Sequence, residues 1–171
     1  MTVEVRPAAP GDADAVAAIQ VHAWQAAYPG IMSQGWLDAM DVEPRAVTWR
    51  EIIAAPGPGN HVVVAVAGGA PVGFAAFGAA RGLPAPDAVG ELFALNVDPP
   101  RWRAGAGSAL IGHAHAGLTA DGHRTAVLWV FTANERARRF YERHGWAADG
   151  TTQTQEIGGA LAHETRYDRT L

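Results

Sequence analysis

The order of apolar and polar positions predicts one short strand followed by two or three helices along the first third of the chain. Val3 and Val5 alternate with polar neighbours, which is typical of a short strand that ends at Pro7. From Pro10 onward, apolar residues recur at helical spacing until the breaker Tyr28-Pro29-Gly30. Two shorter helical patterns follow, one from Ser33 or Gln34 to Met40 and one from Glu43 to Ile53.

The middle of the chain changes to strand-like patterns. Two apolar runs, 61–66 and 71–77, flank Gly68-Gly69, and Gly-Gly is a favoured two-residue turn. They predict a β-hairpin. The stretch 79–88 is rich in Pro and Gly and predicts a surface loop.

The stretch 90–118 is the central feature of the sequence, because it predicts a strand, a tight turn and a helix in succession. Residues 90–97 are apolar enough for a buried strand. The helical part carries one apolar face, made of Leu110, Ile111, Ala114 and Leu118.

The rest of the chain repeats this alternation. A buried strand is predicted at 126–131 and a helix at 134–144, with Gly145 as its C-cap. Strands at 153–157 and 163–171 flank the turn Gly158-Gly159. This order predicts an α+β fold, a mixed sheet packed by helices, in one domain over residues 1–171.

Composition and charge narrow the function. The 171 residues are 49% hydrophobic and carry a net charge of −4, so no broad basic surface for nucleic acid is expected. There is no cysteine, which excludes disulfides and a cysteinyl intermediate. All 13 basic residues are arginine, which excludes lysine Schiff bases and a Walker A loop. With no signal peptide and no long apolar run, a cytoplasmic location and no membrane partner are expected.

The turn between strand and helix has almost no side-chain bulk. Ala104-Gly105-Ala106-Gly107-Ser108 stands where the helix begins, and free N–H groups at a helix start bind anions. From this turn alone, a phosphate-binding site and a helix start that merely consists of small residues are equally good interpretations. A dinucleotide site is disfavoured, because Leu110 replaces the last glycine of its fingerprint and no acidic residue ends the next strand.

Two longer motifs resemble a known family. The run V-D-P-x-x-W-x-x-G-x-G at Val97–Gly107, followed by SALI, is similar to motif A of the GNAT superfamily of acetyl-CoA-dependent N-acetyltransferases. The run N-x-x-A-x-x-F-Y-x-x-x-G-W at Asn134–Trp146 resembles its motif B, and residues 18–32 resemble its first helix and loop. The resemblance implies a twisted, mostly antiparallel sheet of about seven strands, with helices on both faces and splayed central strands.

The resemblance also implies how acetyl-CoA is held, with no metal. Its pyrophosphate would bind backbone amides of Arg103, Ala104, Gly105, Ala106, Gly107 and Ser108. Its pantetheine arm would pair with the backbone near Leu95 and Val97. Arg101 and Arg103 are candidates for the 3′-phosphate, whereas Trp102 is interpreted as a hydrophobic staple. Asn134 would bond the arm, cap its helix, or do both.

Two catalytic residues are carried over from the family motifs. Tyr141 matches the tyrosine that protonates or hydrogen-bonds the departing thiolate, and its alternative role is core packing beside Phe140. Glu91 matches a general base that acts through water. Its alternation with Phe93, Leu95 and Val97 predicts one shared strand face, and an exposed strand-end Glu is the alternative.

The acceptor is predicted only as a class. Transfer of acetyl to a primary amine of a small molecule or peptide is expected, by direct attack in a ternary complex. Trp24, Tyr28 and Asn96 are candidates for the acceptor pocket, although Asn96 would equally end its strand. The alternatives are transfer of a longer acyl group and a non-catalytic acyl-CoA-binding module. The seven histidines show no metal-ligand spacing, and a homodimer is compatible with the resemblance.

Overall fold

The protein forms one seven-stranded sheet with five α-helices in a computed structural model that describes residues 2–83 and 88–171. The order of the strands across the sheet is β1-β2-β3-β4-β5-β7-β6. The strands are β1 (Glu4–Pro7), β2 (His61–Ala67), β3 (Ala70–Ala79), β4 (Val89–Val97), β5 (Thr125–Phe131), β6 (Ala147–Ile157) and β7 (Ala160–Thr170).

Helices cover both faces of this sheet. They are α1 (Ala13–Ala27), α2 (Gln34–Asp38), α3 (Val42–Ala54), α4 (Ala106–Ala120) and α5 (Glu135–Arg143). On one face, Leu110, Ile111 and Leu118 of α4 form a core with alternate residues of β2 to β5. On the other face, Val16 and Ile19 of α1 and Trp49 of α3 pack against Phe74. The α+β architecture with helices on both faces is therefore confirmed.

Every neighbouring strand pair is antiparallel except β4 and β5, which run parallel. The predicted hairpin is present, and Gly68 and Gly69 take φ of 62° and 81° in its turn. A turn with two positive φ values suits glycine and the right-handed twist of the flanking strands. The mostly antiparallel sheet of seven strands, which the family resemblance implied, is confirmed.

Two predicted segments need correction or lie outside the described residues. The strand predicted at 153–157 begins earlier, at Ala147, and its pairing with β7 is interrupted between Ala148 and Thr152. Gly150 lies within this irregularity with φ of 89°. The polar sequence there has no apolar alternation to mark the strand. Of the predicted loop 79–88, residues 84–87 lie outside the described residues.

Candidate active site

A cleft opens where the two parallel strands separate. β4 and β5 pair only from Val89 opposite Thr125 to Glu91 opposite Val127. Beyond these residues both strands continue without pairing, and a cleft of about 1040 Å³ lies between them. The predicted splay of the central strands is confirmed.

The edge of β4 offers backbone hydrogen-bonding groups to this cleft. The N–H of Asp98 donates to the carbonyl of Val72 at 2.9 Å, which makes residue 98 a hydrogen-bonded position of the β3–β4 pair. Because such positions alternate in antiparallel strands, Leu95 and Val97 direct their backbone groups away from β3 and across the gap. Both residues line the cleft, as predicted for the residues that pair with an extended ligand.

Trp102 fixes the connection after β4. Its indole Nε1–H donates to the Val97 carbonyl at 2.7 Å, and its ring packs against the core beneath α4. The predicted staple is therefore present, and its hydrogen bond engages the carbonyl of Val97. The Val97 N–H and both backbone groups of Leu95 remain for a ligand.

The glycine turn forms the start of α4. Gly105 is the N-cap residue with φ of 91°, and the first hydrogen bond within the helix runs from Ala109 N–H to the Gly105 carbonyl at 3.0 Å. The N–H groups of residues 106–108 precede that bond and have no acceptor within the helix. They form an anion site with the positive end of the helix dipole.

The predicted turn residues differ in what they present. Arg103, Gly105, Gly107 and Ser108 line the cleft, whereas Ala106 is buried beneath it. The N–H of Ala104 donates to the Arg101 carbonyl at 3.3 Å, so it is already engaged within the turn.

Gly107 has a packing reason to lack a side chain. A Cβ there would lie 3.2 Å from the Phe140 ring of α5. This contact brings α5 close to the start of α4, and with it the side chains that line the far wall of the cleft.

Five arginines line the cleft. Sequence reasoning named two of them, Arg101 and Arg103, and missed Arg136, Arg139 and Arg143. The missed residues lie at positions i, i+3 and i+7 of α5, a spacing that places them on one helical face and that was readable from the sequence. The guanidinium of Arg136 lies 3.3 Å from the centroid of the Trp102 ring. Burial of this group lowers the pKa of Arg136; the nearby Tyr28 opposes this effect, and the nearby Arg103 adds to it.

Tyr141 lies on the wall of the cleft opposite β4. Its ring packs edge-on against Phe140, with centroids 5.4 Å apart, and near Trp146 at 6.4 Å. Burial raises the pKa of Tyr141 above its usual value, and neighbouring Tyr28 raises it further. The phenol therefore keeps its proton at neutral pH and is available as a donor.

Asn134 caps α5 and lines the cleft at once. Its side-chain oxygen accepts a hydrogen bond from the Ala137 N–H at 3.1 Å. The cap uses the carbonyl end of the amide, which leaves the NH₂ group for a ligand. The predicted helix-cap role is present.

The structure corrects the predicted alternation around Glu91. Phe77 of β3 pairs with Leu92 and Ala76 pairs with Ala94, so Phe93 is an extra, bulged residue. Leu92, Leu95 and Val97 consequently face α4, whereas Phe93 and Ala94 face α1 and α3. Glu91 precedes Leu92 and faces the α1 side, so it does not share a face with Leu95 and Val97 as expected.

Glu91 lies beside the cleft, not in its wall. Its carboxylate accepts a hydrogen bond from the Arg81 N–H at 2.9 Å, and the guanidinium of Arg81 lies 3.9 Å from the Phe93 ring centroid. Glu91 is absent from the described residues that line the cleft. A base at this position would act through an intervening water.

The opposite end of the cleft is aromatic. The ring centroid of Tyr28 lies 5.3 Å from that of Trp24 and 4.8 Å from that of Phe131, both in edge-on geometry. The predicted acceptor residues Trp24, Tyr28 and Asn96 all line the cleft. Burial raises the pKa of Tyr28 to about 12.

Sequence reasoning missed the polar residues at this end. Glu164 of β7 lines the cleft together with Gln155 of β6. The amide nitrogens of Gln153 and Gln155 donate to the Glu164 Oε2 at 2.6 and 2.7 Å. The Q-T-Q alternation indicates that these two glutamines share one strand face, but only the β6–β7 register shows that Glu164 lies directly opposite Gln153.

Two further properties concern the described residues as a whole. They contain no group of three or more His, Cys, Asp or Glu arranged to hold a metal ion. No helix among them has both the length and the apolar character needed to cross a membrane.

Known proteins match both the sequence and the fold. A family model described as the acetyltransferase (GNAT) family matches residues 19–146. A probable N-acetyltransferase of Mycobacterium tuberculosis is 30% identical over 153 residues, which cover 89% of this chain and 84% of the relative.

Solved structures share the architecture at lower sequence identity. The PaiA N-acetyltransferase of Thermoplasma acidophilum, solved in complex with coenzyme A, gives a TM-score of 0.81 at 18% identity over 100% of both chains. YncA of Salmonella typhimurium, solved with its cofactor acetyl-CoA, gives 0.74 at 20% identity over 99% of this chain and 94% of its own. The family model covers most of the chain and the relative covers nearly all of it, so the chain belongs to the GNAT family of acetyltransferases.

Proposed function

We propose that this protein transfers an acetyl group from acetyl-CoA to a primary amine by direct attack within a ternary complex. One observation carries the proposal: the cleft joins an anion-binding helix start to an unpaired strand edge, with the Tyr141 phenol on the opposite wall. A cofactor with a diphosphate at one end and a thioester at the other fits this order of groups.

The diphosphate would bind at the start of α4. The N–H groups of residues 106–108 provide backbone donors, and Ser108 adds a side-chain hydroxyl. Arginines on the same side of the cleft would neutralise the remaining phosphate charge without any lysine.

The pantetheine arm would lie along β4 in place of the missing strand partner. Leu95 and Val97 supply backbone groups that face the gap, and the Asn134 amide lies on the other side. This pairing would hold the thioester carbonyl near a β4 N–H, which would stabilise the negative charge that develops on its oxygen.

The chemical step would need two proton transfers. Once the bound ammonium has lost one proton to water, the amine nitrogen attacks the thioester carbonyl carbon with its lone pair, the new C–N bond forms, and the C–S bond breaks. Tyr141 would donate its phenolic proton to the departing sulfur, since its raised pKa keeps the group protonated. The proton lost by the attacking nitrogen would pass to a base through water.

Glu91 is the proposed base for that second transfer. Its side chain faces the same side of the sheet as Asn96, which lines the acceptor end of the cleft. The Arg81 N–H holds the carboxylate in place, and one water would bridge it to the acceptor. Glu91→Gln is expected to lower kcat and to leave the dissociation constant of acetyl-CoA unchanged.

The proposal is tested by thiol release from acetyl-CoA against a panel of primary amines, with mass spectrometry of the products. We expect CoA release that depends on the amine and an N-acetylated amine in equal amount. A protein that binds CoA but acetylates no amine would be a binding module, and this result would overturn the proposal.

A further inference from the structure

The acceptor end of the cleft contains a carboxylate whose charge is not neutralised by a described residue. Glu164 is partly buried and lies on β7 directly opposite Phe131 of β5. No Arg or His nitrogen of the described residues lies within 4.0 Å of its oxygens, in contrast to Asp149, which pairs with Arg166 at 2.6 Å. Of the described residues that line the cleft, Glu164 is the only acidic one.

Hydrogen bonds hold this carboxylate in one orientation. Gln153 and Gln155 both donate to Oε2, at 2.6 and 2.7 Å, from alternate positions of β6. Their donation leaves Oε1 without a hydrogen bond from a described residue. Oε1 is not among the buried polar atoms that lack a partner, so it stays accessible in the cleft and can accept a hydrogen bond from a ligand.

The walls beside Glu164 favour an apolar body that carries a positive charge. Tyr28 packs edge-on against Phe131, and Trp24 and Ile157 complete the wall. Aromatic rings attract ammonium groups through their electron-rich faces and bury apolar carbons against their surface.

The β6–β7 turn closes this pocket from the side. A Cβ on Gly158 would clash with the Trp36 ring, and the hydroxyl of Ser33 donates to the Gly158 carbonyl at 3.1 Å. These contacts fix α2 against the hairpin that carries Glu164, so the pocket is part of the folded structure and not of an exposed loop.

The charges around the pocket oppose a carboxylate on the acceptor. Glu164 would repel it at close range. Arg45 has its guanidinium 5.3 Å from the Trp24 centroid, but it is not among the residues that line the cleft. Arg136 does line the cleft, and it lies close enough to Tyr28 to oppose the rise in pKa that burial causes there. Its guanidinium is stacked on Trp102, however, and forms no ion pair with Glu164.

We propose that Glu164 binds the ammonium group of the acceptor through Oε1 and so selects primary amines that have an apolar or aromatic body and no carboxylate next to the nitrogen. This inference rests on the proposed acetyl transfer and names the substrate class of that site. Glu164 is a specificity-determining residue in this account, and Glu91 and Tyr141 keep their roles in the chemical step.

The test compares two acceptors that differ only in the carboxylate, 2-phenylethylamine and phenylalanine. The wild-type protein is expected to show a kcat/KM about tenfold or more higher for 2-phenylethylamine, because Glu164 attracts one ammonium and repels the carboxylate of the other acceptor. Equal use of the two, or preference for phenylalanine, would overturn the inference.

Variants assign that preference to Glu164. Glu164→Gln is expected to raise KM for 2-phenylethylamine about 10- to 100-fold and to remove most of the preference. Glu164→Asp keeps the charge, so it should retain part of the affinity for 2-phenylethylamine and part of the preference over phenylalanine. Glu156→Gln makes the same change at an exposed position of the same hairpin, and it should behave as wild type.

A separate titration distinguishes a failure of this inference from a failure of the proposed function. The dissociation constant of CoA should be unchanged in Glu164→Gln, which shows that the variant is folded and that its cofactor half is intact. If the wild type acetylates amines and Glu164→Gln keeps the wild-type KM, the inference is wrong and the proposed function stands. If the wild type binds CoA and acetylates no amine, both fail.

Discussion

The two ends of the cleft differ in charge, in the groups they present and in how their sequence reveals them. The proposed cofactor end has the backbone N–H groups of residues 106–108 at the start of α4, and five arginines line the cleft. The acceptor end has aromatic rings and the carboxylate of Glu164. A polyanion therefore favours one end and a cation the other, which would orient the two substrates before any chemistry takes place.

The contrast also separates backbone recognition from side-chain recognition. The cofactor end depends on a turn geometry that only glycine adopts easily at Gly105, with φ of 91°. The acceptor end depends on the positions of side chains from α1, β6 and β7. Changes at the first end should thus alter CoA binding, whereas changes at the second should alter the acceptor.

The largest expected effect is the loss of CoA binding in Gly105→Glu. The new carboxylate would stand at the anion site, and repulsion of several kcal/mol from the diphosphate would weaken CoA binding about 100-fold or more. Isothermal titration with CoA measures this effect. Gly105→Ala is the matched control, because it imposes the same backbone strain without the charge. An unchanged dissociation constant in Gly105→Glu would show that the diphosphate does not bind at the start of α4.

The next effect is on turnover, in Tyr141→Phe. Without a proton donor for the thiolate, kcat should fall about 100-fold. The dissociation constant of acetyl-CoA should stay within about twofold of wild type, since only one hydroxyl is lost. Steady-state thiol release and titration measure the two quantities separately. Full turnover in this variant would remove Tyr141 from the chemistry.

Arg136→Gln should produce a smaller change that is confined to the cofactor end. Removal of one guanidinium from the phosphate-binding region is expected to weaken CoA binding about tenfold, and less so at high salt. Arg124→Gln is the control, because Arg124 is exposed and does not line the cleft. Equal effects of the two substitutions would show that the arginines act only through overall charge.

The pH dependence of turnover should follow the ionisation of the acceptor amine and not that of Tyr28 or Tyr141. Burial raises the pKa of Tyr28 to about 12 and that of Tyr141 still further, so both phenols stay protonated through the working range. The kcat should rise between about pH 6 and about pH 9 as the bound ammonium loses its proton and becomes the attacking amine, with no descending limb in that range. A descending limb near pH 8.5 that disappears in Tyr141→Phe would contradict this assignment.

The smallest expected effect concerns the support beneath the cofactor end. The Trp146 Nε1–H donates to His115 Nε2 at 3.1 Å, and burial first, then Arg169, lowers the pKa of His115 from 6.5 to about 4. Between pH 6.5 and pH 4, His115 therefore binds a proton in the unfolded chain but not in the folded protein. The free energy of unfolding falls as the pH drops through this range. Thermal unfolding should show a shallower pH dependence in His115→Gln than in wild type.

The cofactor end was largely predictable because its signals are local in sequence. Small residues at a helix start, a capping Asn134 and the face of α5 that carries Tyr141 can each be read within a few residues. The pieces that sequence reasoning missed, such as Arg136, follow from the same helical spacing once the helix is assigned.

The acceptor end was less predictable because its arrangement depends on pairing between distant strands. The bulge at Phe93 follows from the register against β3, and no turn residue in the sequence marks it. Glu164 gains its position from its neighbours Phe131 and Gln153, which lie in other strands. A polar C-terminal hairpin does not by itself indicate which of its acidic residues faces a cleft.

The most direct test of this account is a crystal structure of the protein with CoA bound. The account predicts diphosphate oxygens within hydrogen-bonding distance of the N–H groups of residues 106–108, the pantetheine arm between β4 and β5, and the sulfur next to the Tyr141 hydroxyl. The pocket between Trp24, Tyr28 and Glu164 should remain open for an acceptor. A CoA molecule bound outside the gap, or with its sulfur far from Tyr141, would contradict it.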